Sequence, residues 1–138
     1  MAAPACVPLQ MAVPLLVVSP DEQDHSSLQN ILRPGCSMLR AAGRRDAVAL
    51  AMFFRPKVVL CEQVFADGDW RDLLRELDAH APEAPPVIVC SRLADDRLWA
   101  EVLNLGGYDV LSKPFASAEV NRVVGMAASR RARPRATE

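Results

Sequence analysis

The stretch KVVLCEQVFADGDWRDLL, at residues 57–74, contains the clearest strand-to-helix unit in the sequence. Its first five residues predict a strand, because the last four of them, VVLC, form a short apolar run that is typical of a strand buried on both faces of a parallel sheet. Residues 62–69 contain turn-forming Asp and Gly, so a loop is predicted there. The apolar residues that follow recur at helical spacing: Trp70, Leu73, Leu74 and Leu77. The stretch therefore predicts a buried strand, a connecting loop and a helix with one buried face.

The same alternation of a strand pattern and a helix pattern occurs five times along the chain. The other predicted strands are a clear run at 14–18, a weak run at 37–40, VIVCS at 87–91 and a short run at 108–111. A helix pattern follows each strand, and Ser19 with Glu22 predicts a capping box at the start of the first helix. Predicted inward helix positions include Leu28, Leu32, Ala47, Leu50, Ala51, Phe54, Leu98, Val102, Leu105, Val120, Val123 and Val124. Five short units of this kind predict an α/β fold, a doubly wound parallel sheet with helices on both faces.

The composition is that of one ordinary globular domain. The 138 residues are 51% hydrophobic and 24% charged, with a formal net charge of −1. An apolar content this high excludes disorder, and a near-neutral surface gives nucleic acid or a membrane little to attract. We expect a flexible N-terminal arm at 1–12, the domain at 13–128 and an Arg-rich tail or linker at 129–138.

Neither a leader sequence nor a disulfide framework is predicted. The arm has no basic start, and Pro4 and Pro8 interrupt its apolar residues, which argues against a signal peptide or a membrane span. The four cysteines are widely spaced, and two of them end predicted strands, so they are interpreted as reduced, mostly buried residues. A cytoplasmic location is therefore expected. The cysteines are Cys6, Cys36, Cys61 and Cys90.

Ligands of doubly wound sheets bind beyond the carboxyl ends of the strands. In this sequence those ends carry Ser19, Pro20 and Asp21 after the first strand, Glu62 after the third, Ser91 after the fourth, and Lys113 with Pro114 after the fifth. These side chains are the candidate site.

Four features follow one another along the chain in this order: a strand that ends in an acid, the loop ADGD, a strand that ends in a hydroxyl, and LSKPF at 111–115. This series resembles the receiver domain of bacterial two-component response regulators, and the resemblance covers residues 13–128. It implies the flavodoxin-like (βα)5 fold with strand order 2-1-3-4-5, and a signalling domain rather than an enzyme.

In that family an aspartate after the third strand accepts a phosphoryl group from a histidine kinase, and two acids after the first strand hold a magnesium ion. A Ser or Thr and a Lys complete the pocket. The resemblance places Glu62 at the acceptor position, Ser91 at the hydroxyl position and Lys113 at the lysine position. The acidic pair falls on Ser19 and Pro20, neither of which is a carboxylate.

These departures predict an atypical member, a pseudo-receiver. Magnesium usually binds through one or two carboxylates, and Pro20 offers no side-chain oxygen. The Glu62 carboxylate lies one methylene farther out than that of an aspartate, and displacing a reacting atom by about 1 Å can cost about 100-fold. With only Asp21 left nearby, we expect no bound magnesium and no phosphoryl transfer, with Lys113 paired to Glu62. Whether such a pair imitates the phosphorylated state or holds a neutral, locked one stays open.

Docking to a signalling protein or to a second copy is the expected mode of action. The resemblance implies docking through the face formed by the fourth helix, the fifth strand and the fifth helix. Trp99 and Leu103 flank the inward stripe of the fourth helix, so a partly exposed apolar patch is predicted there, and Val110 stands where the family has an aromatic switch residue. Trp70 and His25 are expected at the core, and His80 at the surface.

Two alternatives stay open. The chain could be a phospho-accepting receiver with a degenerate site, or the input domain of a longer DNA-binding regulator. A nucleotide-binding domain is disfavoured because both GxGxxG and GxxxxGK[ST] are missing. Within this chain no DNA-binding motif is recognised, so nucleic acid is an unlikely partner despite the arginines of the tail.

Overall fold

A computed structural model of the chain describes residues 13–32, 34–80 and 83–130. The predicted arm at 1–12 and residues 131–138 of the predicted tail lie outside the described residues. Within the described ranges, no helix is both long and apolar enough to cross a membrane.

Twelve elements occur in the described residues, and apart from two short strands that follow the third strand, their order follows the predicted alternation. They are β1 (Val13–Val18), α1 (Glu22–Leu32), β2 (Cys36–Ala41), α2 (Arg44–Phe54), β3 (Val58–Glu62), β4 (Val64–Phe65), β5 (Gly68–Asp69), α3 (Trp70–His80), β6 (Val87–Ser91), α4 (Asp96–Asn104), β7 (Asp109–Ser112) and α5 (Ser117–Ser129).

Five of the strands form one parallel sheet in the order β2-β1-β3-β6-β7. Since β4 and β5 pair only with each other, this is the order 2-1-3-4-5 when the main strands alone are counted. The predicted doubly wound α/β fold is confirmed. Both faces of the sheet are covered, so neighbouring strand residues enter opposite cores: Leu16 and Val18 face one core, whereas Leu15 and Val17 face the other. This is why the strands are apolar throughout.

The predicted loop at 62–69 contains a short hairpin, β4–β5, that the sequence pattern did not indicate. Phe65 is buried in the core, and Gly68 has a φ of +144°, a conformation that favours glycine. The Asp67 carboxylate accepts hydrogen bonds from the backbone N–H groups of Arg44 (2.8 Å) and Arg45 (3.1 Å). The hairpin is thereby fixed to the start of α2, whose first amides lack intrahelical partners.

Two predicted inward positions are wrong. Phe54 and Leu105 are about half exposed. Phe54 is the last residue of α2 and Leu105 follows the last residue of α4, so each lies at a helix end where fewer neighbours cover it. The buried positions of Trp70 and His25 and the exposed position of His80 agree with the sequence expectation.

Candidate functional site

The carboxyl ends of the parallel strands meet at one edge of the sheet. Glu62 ends β3, Ser91 ends β6, Ser19 follows β1 and Lys113 follows β7. Lys113 is held next to Ser91 because its backbone N–H donates to the Ser91 carbonyl over 3.0 Å. The fold therefore gathers these side chains into one pocket, here called the Lys113 pocket.

The centre of this pocket is an ammonium group bound by two carboxylates. The Lys113 Nζ lies 2.9 Å from Asp24 Oδ2 and is also bonded to Glu62 Oε1. The side chains of Lys113 and Asp24 are each 8% exposed, and that of Glu62 is 20% exposed. Burial disfavours the charged lysine, but the hydrogen bonds and charges of Glu62 and Asp24 outweigh it and raise the pKa of Lys113.

Asp24 is the member of the pocket that the sequence reasoning missed. It lies in the first turn of α1 and is buried on the same helix face as Leu28 and Leu32, at positions i, i+4 and i+8. Apolar residues normally occupy such a stripe, because an unpaired buried carboxylate is costly. An acid on the inward stripe of α1 was the signal that could have identified it.

Ser19 orients Asp24 rather than capping a helix. Its Oγ donates to Asp24 Oδ2 over 2.7 Å and accepts from the Asp21 N–H over 3.0 Å. The predicted Ser19 capping box is wrong, because α1 begins at Glu22 and Asp21 caps it, accepting from the Gln23 N–H over 2.9 Å. The Asp21 side chain is exposed, so the acid in the pocket is Asp24 instead. Pro20 is exposed.

Ser91 is buried and already hydrogen-bonded. Its Oγ donates to Gln63 Oε1 over 2.8 Å and accepts from the Leu93 N–H over 3.0 Å. The Gln63 backbone N–H donates to Glu62 Oε2 over 2.9 Å, which links the hydroxyl to the Glu62 carboxylate through one residue. No feature of the sequence distinguishes Gln63 from an ordinary loop residue.

The donor set of the pocket does not fit a magnesium ion. Magnesium requires oxygen ligands in near-octahedral geometry. The Asp24 and Glu62 carboxylates are instead bound to the Lys113 ammonium, which lies between them and supplies the positive charge there. In the described ranges, no group of three or more His, Cys, Asp or Glu side chains is arranged to hold a metal.

Several exposed apolar side chains lie along α4 and in its flanking loops. Trp99 is 50% exposed and Leu103 is 39% exposed, and Leu93 and Leu105 are exposed near the two ends of the helix. Val110 is half-buried against the core. Pro114 is exposed and follows a cis peptide bond after Lys113.

The cysteines within the described residues have free thiols. Cys61 and Cys90 are buried, and burial raises the pKa of both thiols. Cys36 is half-buried, and partial burial raises its thiol pKa as well. Cys6 lies outside the described residues. The interpretation of Cys61 and Cys90 as small buried residues is therefore confirmed.

Comparison with known protein families finds a match to the response regulator receiver domain over residues 15–124. The chain belongs to this family, whose members are signalling domains of two-component systems. A comparison with curated proteins finds no match.

Solved structures show the same fold. A protein of Chloroflexus aurantiacus described as a response regulator is 23% identical with a TM-score of 0.79, covering 86% of this chain and 99% of its own. The receiver domain of the Francisella response regulator 1452 is 24% identical with a TM-score of 0.76, covering 85% and 97%. A chain of the CheX–CheY–BeF3–Mg complex from Borrelia burgdorferi is 20% identical with a TM-score of 0.74, and the match covers 82% of this chain and 87% of that one.

Proposed function

We propose that this receiver domain does not accept a phosphoryl group and acts by docking to another protein. The observation that carries the proposal is the Lys113 ammonium bound between the Asp24 and Glu62 carboxylates. Two carboxylates and one ammonium leave the pocket with one net negative charge. A phosphoryl donor is also negatively charged, so its entry into the pocket is opposed by charge of the same sign.

The acceptor geometry supports the same proposal. Glu62 carries its carboxylate one methylene beyond the reach of an aspartate, and that carboxylate is engaged by Lys113 and by the Gln63 N–H. The Ser91 hydroxyl is likewise occupied by Gln63. Phosphoryl transfer depends mainly on positioning and charge neutralisation, and neither is available in this arrangement. The two ion pairs of Lys113 hold the pocket in a single arrangement, and this arrangement lacks the negative charge of a phosphorylated receiver.

Intact-mass measurement tests this directly. The protein is incubated with acetyl phosphate and magnesium, with a phosphorylatable receiver treated in parallel as the positive control. We expect no added phosphoryl group on this chain. The proposal is wrong if a phosphoryl adduct forms on wild type and is missing from Glu62→Gln, since that residue would then be the acceptor.

Docking is proposed to use the exposed patch formed by Trp99, Leu103 and the neighbouring leucines. Large aromatic side chains are frequent anchors of protein interfaces, and the half-exposed Trp99 shares α4 with the exposed Leu103. One of the similar solved structures is a complex of CheX with CheY, which illustrates partner binding in a protein of this fold.

Sedimentation velocity distinguishes a second copy from a different partner. If a second copy binds, dimer formation weakens in Trp99→Ala but not in Phe53→Ala, an exposed aromatic on α2 that lies away from the patch. If the wild-type protein sediments as a monomer, a second copy is excluded and the proposed partner is a different signalling protein. An equal effect of both substitutions contradicts docking through the α4 patch.

A further inference from the structure

A second concave site lies at the amino-terminal edge of the sheet, opposite the Lys113 pocket. It is a cavity of about 800 Å³. It lies where the loops enter β3 and β6 and where α2, α3 and α5 end, and its described apolar lining residues are Ala51, Met52, Pro56, Leu77, Pro85, Pro86 and Ala128. Cavities of roughly 300–1,000 Å³ bury drug-sized ligands, so this one is large enough for a short peptide segment.

We propose that residues 1–12 of this chain dock in this cavity. The chain enters the domain at the same edge, because β1 begins at Val13 and the Lys57 N–H, from a residue that lines the cavity, donates to the Pro14 carbonyl over 2.8 Å. An extended chain covers about 3.3 Å per residue, so twelve residues reach as far as about 40 Å from Val13. A segment tethered so close has an effective concentration on the order of millimolar.

The chemistry of the cavity favours this segment over the other chain end. Among the described residues of the lining, three are cationic, Arg55, Lys57 and Arg130, and one is acidic, Glu83. Residues 131–138 contain three arginines and one acid, so like charges oppose their entry. Residues 1–12, MAAPACVPLQMA, contain no charged side chain and match the apolar lining.

The sequence of the arm also suits burial in an extended form. Pro4 and Pro8 restrict their backbones to conformations compatible with extended chain and bring no N–H group that would need a partner. Burying apolar side chains of the arm and Met52 removes apolar surface from water, which is the driving force for docking. The inference is independent of the proposed function, since the cavity and the Lys113 pocket lie at opposite edges.

Paramagnetic broadening in NMR spectra tests the proposal on the full chain. A nitroxide is attached to Cys6 in a Cys36→Ser background, where the remaining thiols are buried. We expect the amide signals of Lys57 and His80 to be lost and to return when the nitroxide is reduced. The amides of Ser91 and Lys113, at the opposite edge, should keep their intensity.

Substitutions on both sides of the contact supply the controls. Met11→Asp places a charge in the arm, and Met52→Asp places one in the cavity; each should restore the lost signals. Met126→Asp is the matched control, because Met126 is a similarly exposed helix methionine that does not line the cavity, and it should leave the broadening unchanged. These substitutions are at exposed or terminal positions, and an unchanged remaining spectrum verifies folding.

Three outcomes overturn the proposal. The first is full intensity at Lys57 and His80, which means that the arm does not occupy the cavity. The second is loss of these signals in an isotope-labelled chain mixed with a nitroxide-bearing unlabelled chain, which means that the arm of a second copy binds. The third is broadening that Met52→Asp and Met126→Asp reduce equally, which places the contact outside the cavity.

Discussion

Replacing Lys113 with methionine removes the ammonium between Asp24 and Glu62 and keeps much of the apolar side-chain volume. The side chains of Lys113 and Asp24 are each 8% exposed, and that of Glu62 is 20% exposed. Removing one partner of a buried ion pair costs about 3–5 kcal/mol, because the remaining charge is left uncompensated. Since Glu62 keeps some contact with water, we expect about 3 kcal/mol, which lowers the melting temperature by roughly 10 °C for a domain of this size.

Urea unfolding measures this loss against a matched control within the same chain. Lys57, the only other lysine of the sequence, is exposed, so Lys57→Met should change the free energy of unfolding by less than about 0.5 kcal/mol. Adding Asp24→Asn and Glu62→Gln to Lys113→Met should recover part of the loss, because no uncompensated charge is then left in the pocket.

The pH dependence supplies a second readout. Glu62 and Asp24 raise the pKa of Lys113, so the folded chain keeps the ammonium proton to a higher pH than the unfolded chain does. The destabilisation by Lys113→Met should therefore be complete at about pH 8 and should become smaller as the pH rises above about 10.4, where the unfolded chain loses this proton. A cost below about 1 kcal/mol, as for a surface pair, would refute the buried arrangement of this ammonium. The buried arrangement would also be refuted if adding Asp24→Asn and Glu62→Gln to Lys113→Met recovered none of the lost free energy of unfolding.

Three further predictions concern the core, the hairpin and alkaline pH. Trp70→Ala should cost about 3–5 kcal/mol in urea unfolding, since Trp70 is fully buried, and Trp99→Ala less than about 0.5 kcal/mol; equal costs would contradict the observed burial. Asp67→Ala should lower the melting temperature, because the backbone amides of Arg44 and Arg45 at the start of α2 lose their acceptor. The same two hydrogen bonds lower the pKa of Asp67 in the wild type, so the difference in melting temperature between wild type and Asp67→Ala should become smaller as the pH falls towards about 3. A difference that grows at low pH would contradict this role of Asp67. The free energy of unfolding should fall as the pH rises above about 8.5, because the thiols of Cys61 and Cys90 ionise in the unfolded chain while burial raises their pKa in the folded one. The double variant Cys61→Ala, Cys90→Ala should lose less stability over the same pH range. An unchanged slope of stability against pH in this variant would exclude the two thiols as the cause.

Local patterns were sufficient for most of the fold. Apolar runs such as 58–61 and 87–90 mark strands buried on both faces, and the helix stripe that contains Trp70 marks a buried face. Both depend on residue spacing alone. The β4–β5 hairpin was not predicted because it is fixed by contacts between residues distant in sequence. Phe65 packs into the core, and the Asp67 carboxylate accepts a hydrogen bond from the backbone at the start of α2.

The candidate site shows the same division. The order of the strands brings Glu62, Ser91 and Lys113 to one edge, so the sequence by itself determined that these three groups lie near one another. The tertiary structure alone decided that Asp24 binds Lys113 and that Gln63 binds the Ser91 hydroxyl. These pairings depend on side-chain directions across separate strands and a helix turn. The periodicity of a sequence records which residues are buried, whereas the partner of a buried polar atom is set by the elements packed against it.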